Sequence, residues 1–330
     1  MIYKNLEAIY EDYDSFLIDV YGVLYDGKKL YTGVLDILKK IKDSGRRIII
    51  LSNTTIVSKV CTSKYAELGL NGGIHYDQFM TSGEVFRQMI PEIFNPSAKY
   101  CQIFSKNFRI FEGSTLQEID KISEADFVYV GVILGMGTEG KKPRRYTIDN
   151  LRTKSGVEIK IHEAIRININ EIADFDSIAE ILNVCLKYRK RLVISNPDIF
   201  AIEAVDGVNR PVLCQGGVGE FYEQMGGEVL YFGKPYLPIY NFVKRFLEGC
   251  TRTAMVGDTP WTDVLGGNAA GHATILTLTG VAGKLISEMD REISDCDKIT
   301  KLIDELAPLM THKQLKGYSQ RPTRIIKSLA

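Results

Sequence analysis

The sequence has no C-x-x-C pair among its six cysteines and no H-x-x-x-H among its four histidines, which excludes the usual spacings of zinc and dithiol redox sites. Cys61, Cys101, Cys185, Cys214, Cys250 and Cys296 lie far apart and are expected to be isolated reduced thiols. An excess of charge of either sign is also missing. The 41 Lys and Arg balance 41 Asp and Glu, so a general polyanion binder, nucleic acid included, is not expected. The basic run Lys141-Lys142-Pro143-Arg144-Arg145 is read as a solvated loop. Apolar runs of bilayer length are absent: the longest, Phe127 to Met136, is well short of the ~20 residues a span needs. The amino terminus turns acidic within a few residues, unlike a secretory leader. The expectation is a soluble, cytoplasmic chain with no membrane partner.

What is present is an ordinary globular composition, 45% hydrophobic and 25% charged over 330 residues, enough chain for two domains. Four short apolar runs each hand over to a polar residue. Phe16-Leu17-Ile18 ends at Asp19, Ile48 to Leu51 at Ser52-Asn53, Val229 to Gly233 at Lys234, and Ala254 to Gly257 at Asp258. Between the first two, Val34 to Ser44 carries Leu35, Leu38 and Ile41 on one face with Gly45 as its stop, which completes a β-α-β unit. After Lys234, Pro238 opens a second helix bearing Ile239, Phe242, Val243 and Phe246, and a further strand is expected over Thr274 to Leu278. The fold class is therefore α/β, a doubly wound parallel sheet whose ligands bind beyond the carboxyl ends of the strands. The runs ending at Ser52 and Lys234 are too far apart for a crossover connection, which points to an inserted domain. The expected division is 1–94 and 231–330 for the core, with 95–230 as the insertion. Strands are expected there at Lys99–Phe104, Asp126–Leu134 and Leu192–Ser195, with a helix over Ile178–Tyr188.

The residues at these strand ends suit phosphoryl chemistry. A carboxylate such as Asp19 can attack phosphorus if nearby cations offset the repulsion between anions, splitting one hard hydrolysis into two easier steps. Lys234 supplies one such cation. Asp258 and Asp263, around a helix start, are oxygen donors of the kind Mg²⁺ prefers, with Asp258 the first candidate for direct ligation. Ser52, Asn53 and the backbone N–H groups that follow, Thr54 included, would hold phosphoryl oxygens.

In this order the motifs resemble those of the haloacid dehalogenase superfamily of hydrolases: a strand-end Asp, a Ser/Thr, a Lys and an acidic pair. The forms Leu51-Ser52-Asn53-Thr54-Thr55, Thr81-Ser82-Gly83, Ser195-Asn196-Pro197-Asp198, Gly233-Lys234-Pro235 and Gly257-Asp258 through Thr262-Asp263 are similar to its class IIA branch. That branch holds p-nitrophenylphosphatases and metabolite and nucleotide phosphatases. The resemblance implies that the insertion is an α/β cap that closes the site and sets substrate choice. It assigns Asp19 as nucleophile, Ser52 as phosphate ligand and Lys234 as charge anchor. Mg²⁺ would sit on Asp19, Asp258 and the backbone carbonyl of Tyr21, with Asp263 supporting its water shell. Asn196 and Asp198 match the loop that joins cap to core and are expected to contact substrate. A small phosphorylated metabolite is the implied partner, and a homodimer formed through the caps the implied assembly.

One position departs from the family. The phosphatases carry a second Asp two residues after the nucleophile, which protonates the leaving group, and here that residue is Tyr21. Three readings follow: a leaving group that needs no proton, such as an acyl phosphate; a substitute acid such as Asp26; or a site that binds phospholigands with little or no turnover. Haloacid dehalogenases share Asp-x-Tyr-Gly, which adds displacement at carbon as a rival, against which stands the acidic pair Asp258 and Asp263.

Overall fold

The computed structural model describes residues 1–106, 108–135, 144–148, 150–159, 164, 167–289, 296–307 and 313–330. It divides into two compact units, one made of 1–85 with 233–330 and the other of 86–232. The boundaries expected from sequence, 94/95 and 230/231, compare with 85/86 and 232/233 here. Lys141, Lys142, Pro143, His162 and His312 fall outside the described residues.

The first unit is built on a seven-stranded parallel sheet in the order Ile2–Tyr3, Arg324–Ile326, Ala273–Thr277, Thr253–Gly257, Ser15–Ile18, Arg47–Ser52, Gln78–Thr81. Central strands such as Ser15–Ile18 and Thr253–Gly257 are buried along their whole length, as a parallel sheet covered on both faces requires. This is why they read in sequence as unbroken apolar runs rather than as alternation. Pairing sets Ile18 beside both Val256 and Ile50, so the carboxyl ends of three neighbouring strands lie level.

The helix after the first of these strands runs Val34–Asp43 and buries Val34, Ile37, Leu38 and Ile41. Leu35, expected on that face, is only partly buried at its edge. Gly45 ends the helix at φ 82°, a left-handed position where a side chain would be strained. The helix after Lys234 spans Leu237–Val243 with Pro238 in its first turn, and buries Ile239, Tyr240, Phe242 and Val243.

One expected core strand belongs elsewhere. Val229–Tyr231 pairs with Arg191–Ile194 in the five-stranded sheet of the second unit, so it is not a core strand that delivers Lys234. An apolar run records burial on both faces, which either parallel sheet supplies; it does not record the partner strand. That second sheet also holds Phe127–Val130, Lys99–Ile103 and Gln117–Glu118. Helix Gln215–Gln224 packs on this sheet, and helix Asp176–Lys187 of the same unit packs on that helix, burying Ile178, Ala179, Leu182 and Cys185. Phe86, Tyr129 and Phe232 pack together within this unit, with Phe86 stacked on Tyr129 at 5.4 Å. Among the described residues no helix is long and apolar enough to cross a membrane.

Candidate functional site

Asp19 follows the Ser15–Ile18 strand directly, and its N–H donates to the Val256 carbonyl at 2.9 Å, which extends the ladder by one residue and sets the carboxylate next to Asp258. The chain then turns at once. Leu24 and Tyr25 both donate backbone N–H groups to the Val20 carbonyl, and Gly22 sits at φ 79°. This glycine-dependent turn leaves Asp19 at the mouth of the sheet, with its side chain 13% exposed.

Lys234 Nζ, 2% exposed, donates to Asp19 Oδ1 at 2.6 Å and to Asp263 Oδ1 at 2.7 Å. Its main chain is clamped in both directions by Asn53: the Lys234 N–H donates to Asn53 Oδ1 at 2.7 Å, and Asn53 Nδ2 donates to the Lys234 carbonyl at 2.8 Å. The side chain of Asn53 therefore seats the lysine. Ser52 is buried, and its Oγ accepts weakly from the Thr54 N–H at 3.4 Å. Ser82 fixes that turn from behind by donating to the carbonyls of Asn53 and Thr54 at 2.8 and 3.0 Å.

Asp263 lies in the π-helical turn Pro260–Val264. While Oδ1 faces Lys234, its Oδ2 accepts from the backbone N–H groups of Asp258 and Thr259 at 3.2 and 3.1 Å. Trp261, in the same turn, is buried. Asp258 Oδ1 accepts from Thr259 Oγ1 at 2.9 Å, and its Oδ2 from the Val281 N–H at 2.7 Å. Asp19, Asp258 and Asp263 each offer an oxygen within 4.8 Å of the others. Three carboxylates with one ammonium among them leave excess negative charge in a buried place. An all-oxygen donor set of this kind fits a hard divalent cation such as Mg²⁺.

Burial dominates the electrostatics. It pushes the Asp19 carboxyl well above the usual range, with Asp263 and Asp258 adding to the rise and Lys234 opposing it. Burial alone would lower the Lys234 ammonium, but Asp19 and Asp263 reverse this and hold it above its ordinary value. Asp258 is pushed up to about 7, by burial first and then by Asp263. A carboxyl raised in the fold disfavours its own ionised form. Asp258 therefore takes stability from the metal-free protein as pH rises from about 4, where unfolded Asp ionises, to about 7, and its own penalty is constant above that. Asp258→Asn is expected to stabilise the metal-free protein by about 1–3 kcal/mol at pH 8 and by less at pH 5. Urea denaturation in chelator measures it; a loss of stability at both pH values would contradict this electrostatic picture.

Asp26, considered as a substitute acid, is tied into its own turn. Its Oδ1 accepts from the Lys28 and Lys29 N–H groups, both at 2.8 Å, and those bonds hold its carboxyl below the usual range. Tyr21 is 52% exposed, with its ring edge-on to Tyr25 at 5.3 Å. Tyr25 in turn packs edge-on against Tyr65, and the Lys64 ammonium lies 4.9 Å from the Tyr25 ring centre. Burial raises the Tyr65 phenol, with Tyr21 the next contribution. Asn196 and Asp198 belong to the second unit, where Asn196 Oδ1 accepts from the Asp198 N–H at 2.9 Å in a turn after Arg191–Ile194.

Two sequence profiles match the chain: haloacid dehalogenase-like hydrolase over residues 16–111, and HAD-hydrolase-like over residues 231–307. The first carries Asp19, Ser52 and Ser82, and the second Lys234, Asp258 and Asp263. The chain belongs to the haloacid dehalogenase-like hydrolases. Among similar proteins, phosphoglycolate phosphatase 2 of Arabidopsis thaliana is 25% identical over 292 residues, covering 85% of this chain and 88% of its own length. The p-nitrophenyl phosphatase of Archaeoglobus fulgidus has the same fold, with a TM-score of 0.62 at 21% identity over 96% of this chain and 97% of that one. A glycerol phosphate phosphatase of Mycobacterium tuberculosis, solved in complex with magnesium, superposes with a TM-score of 0.61 at 17% identity, covering 97% of this chain and 76% of that one. In this haloacid dehalogenase-like hydrolase, the doubly wound core thus presents Asp19, Ser52 and Asp258 at adjacent strand ends, with Lys234 seated among them by Asn53.

Proposed function

We propose that the protein is a Mg²⁺-dependent phosphatase that acts on a small phosphorylated metabolite through an aspartyl-phosphate at Asp19. The observation that carries this reading is the Lys234 ammonium held between Asp19 and Asp263, with Asp258 in the same cluster. The named relatives, all phosphatases, support it. Lys234 holds one oxygen of Asp19, leaving the other to attack phosphorus in line with the leaving group. The same ammonium offsets the charge that the phosphoryl group brings. The Ser52 hydroxyl and the turn after it would hold equatorial phosphoryl oxygens. Asp19, Asp258 and the Tyr21 carbonyl would hold Mg²⁺, which when bound supplies further charge neutralisation and orients the phosphoryl group. The second unit is the proposed cap, with Asn196 and Asp198 as substrate contacts.

The leaving group sets the rate. With Asp26 tied into its turn and a phenol at Tyr21, neither position weighed for the general acid is read as protonating an alkoxide. General acid catalysis is typically worth about 10²–10⁴-fold, so substrates whose leaving group departs unprotonated, acyl phosphates above all, should react faster than alkyl esters. The test is Mg²⁺-dependent phosphate release from p-nitrophenyl phosphate, acetyl phosphate, sugar phosphates and nucleotides. Tyr21→Asp is expected to raise turnover of alkyl phosphates about tenfold or more, and of acetyl phosphate much less. An equal gain on both, or none, would remove the missing acid as the explanation. Release of halide from a 2-haloacid with no phosphate release from any ester would favour displacement at carbon instead.

A further inference from the structure

The cation site proposed above depends on how the Asp258 carboxylate is held, and the segment that holds it lies outside the four motifs. We infer that Gly280 and the Val281 N–H are the positioning element for Asp258: together with Gly22 they fix the carboxylate in its cation-binding orientation. This inference rests on the proposed metal site.

The carboxylate lies between two glycines. A Cβ added at Gly280 would sit 1.7 Å from Asp258 Oδ2 and 2.6 Å from its Cγ, and one added at Gly22 would sit 2.0 and 2.6 Å from the same atoms. The Gly22 Cα is itself only 2.7 Å from the position of a Gly280 Cβ, so the two backbones close on the carboxylate from both sides. Neither side has room for a methyl group. The gap is set by several bonds. Thr279 Oγ1 donates to the Gly22 carbonyl, and the Ala282 N–H donates to the Asp258 carbonyl at 3.0 Å. Val281 opens the helix Val281–Met289, so its N–H has no partner within the helix and points to Oδ2 at 2.7 Å. Asp258 is 4% exposed and has no alternative orientation in solvent. Each carboxylate oxygen accepts one hydrogen bond here and keeps a second lone pair for a cation. Partners of this kind orient metal ligands, and their loss commonly weakens affinity by about 10–100-fold.

Gly22 and Gly280 differ in one useful respect. Gly22 has φ 79°, so a side chain there is strained whatever the space, whereas Gly280 is not in the left-handed region and a Cβ there meets the carboxylate first and the Gly22 Cα behind it. Gly280→Ala is therefore the sharper probe. Val281→Pro is the second: proline is accepted at the first helical position, and it replaces the N–H that reaches Oδ2 with a ring carbon that cannot donate.

The experiment is calorimetric titration of Mg²⁺ into the metal-free full-length protein and both variants, with near-UV circular dichroism to establish the fold. The Mg²⁺ dependence of p-nitrophenyl phosphate hydrolysis is measured in parallel. Expected is a dissociation constant for Mg²⁺ raised about tenfold or more in each folded variant, with the activity midpoint moved to higher Mg²⁺ and much of kcat regained at saturation. A purely structural role would lower thermal stability and leave the affinity of the folded fraction unchanged. Affinity within about twofold of wild type in a folded variant would overturn the inference while leaving the proposed function standing. Wild-type protein that takes up no Mg²⁺ would overturn the metal site, and this inference with it.

Discussion

Asp19→Asn is expected to lower phosphate release by about 10⁴-fold or more on every substrate the protein turns over, because it removes the attacking oxygen rather than a supporting contact. The substitution also takes one negative charge from a cluster that holds three carboxylates within 4.8 Å, and it keeps the shape of the side chain. Burial with Asp263 and Asp258 already disfavours the ionised form of Asp19, so the variant should fold and be no less stable than wild type in chelator. Loss of activity without loss of stability separates a nucleophile from a structural carboxylate. The check is phosphate release paired with urea denaturation of the same preparations. Activity within tenfold of wild type would rule out an aspartyl-phosphate at this residue.

Lys234→Met is expected to be costly in both respects. The ammonium is 2% exposed and bonded to two carboxylates, and methionine keeps much of the stem while leaving both of them without their cation. Breaking a buried ion pair from one side typically destabilises by about 3–5 kcal/mol. A divalent cation in the cluster can replace part of the lost charge. The destabilisation measured in chelator should therefore shrink in saturating Mg²⁺, whereas wild type gains less from the same addition. Activity should fall by about a thousandfold, since the phosphoryl group would meet Asp19 without the ammonium. Equal destabilisation with and without Mg²⁺ would mean that the cation does not share the site with Lys234.

The positions of Asp19, Ser52 and Asp258 were legible in the sequence because a parallel strand buried on both faces must be apolar, so the first polar residue after it marks the end where ligands bind. Lys234 was placed correctly for a partly wrong reason. The run before it, Val229–Tyr231, pairs in the other sheet, and the lysine is held by the side chain of Asn53. Which strand a buried run pairs with is a long-range property that no local pattern encodes. The short strands Ile2–Tyr3 and Arg324–Ile326 were invisible for the same reason, since neither has the length to show a period. Asp26 looked like a nearby acid in sequence, and only the two backbone bonds it accepts reveal a turn residue. Gly280 carried no signal beyond being a glycine after a strand; its meaning lies in a carboxylate that the chain places against it from another strand end.

The central claim is that Asp19 carries the phosphoryl group between two steps. The most direct test is to quench the protein in acid during turnover of acetyl phosphate with Mg²⁺ present and to locate the added phosphoryl mass by peptide mapping. The account requires the adduct on the peptide that contains Asp19, formed in wild type and absent from Asp19→Asn. Steady turnover with no adduct on that peptide, or an adduct on another residue, would contradict it.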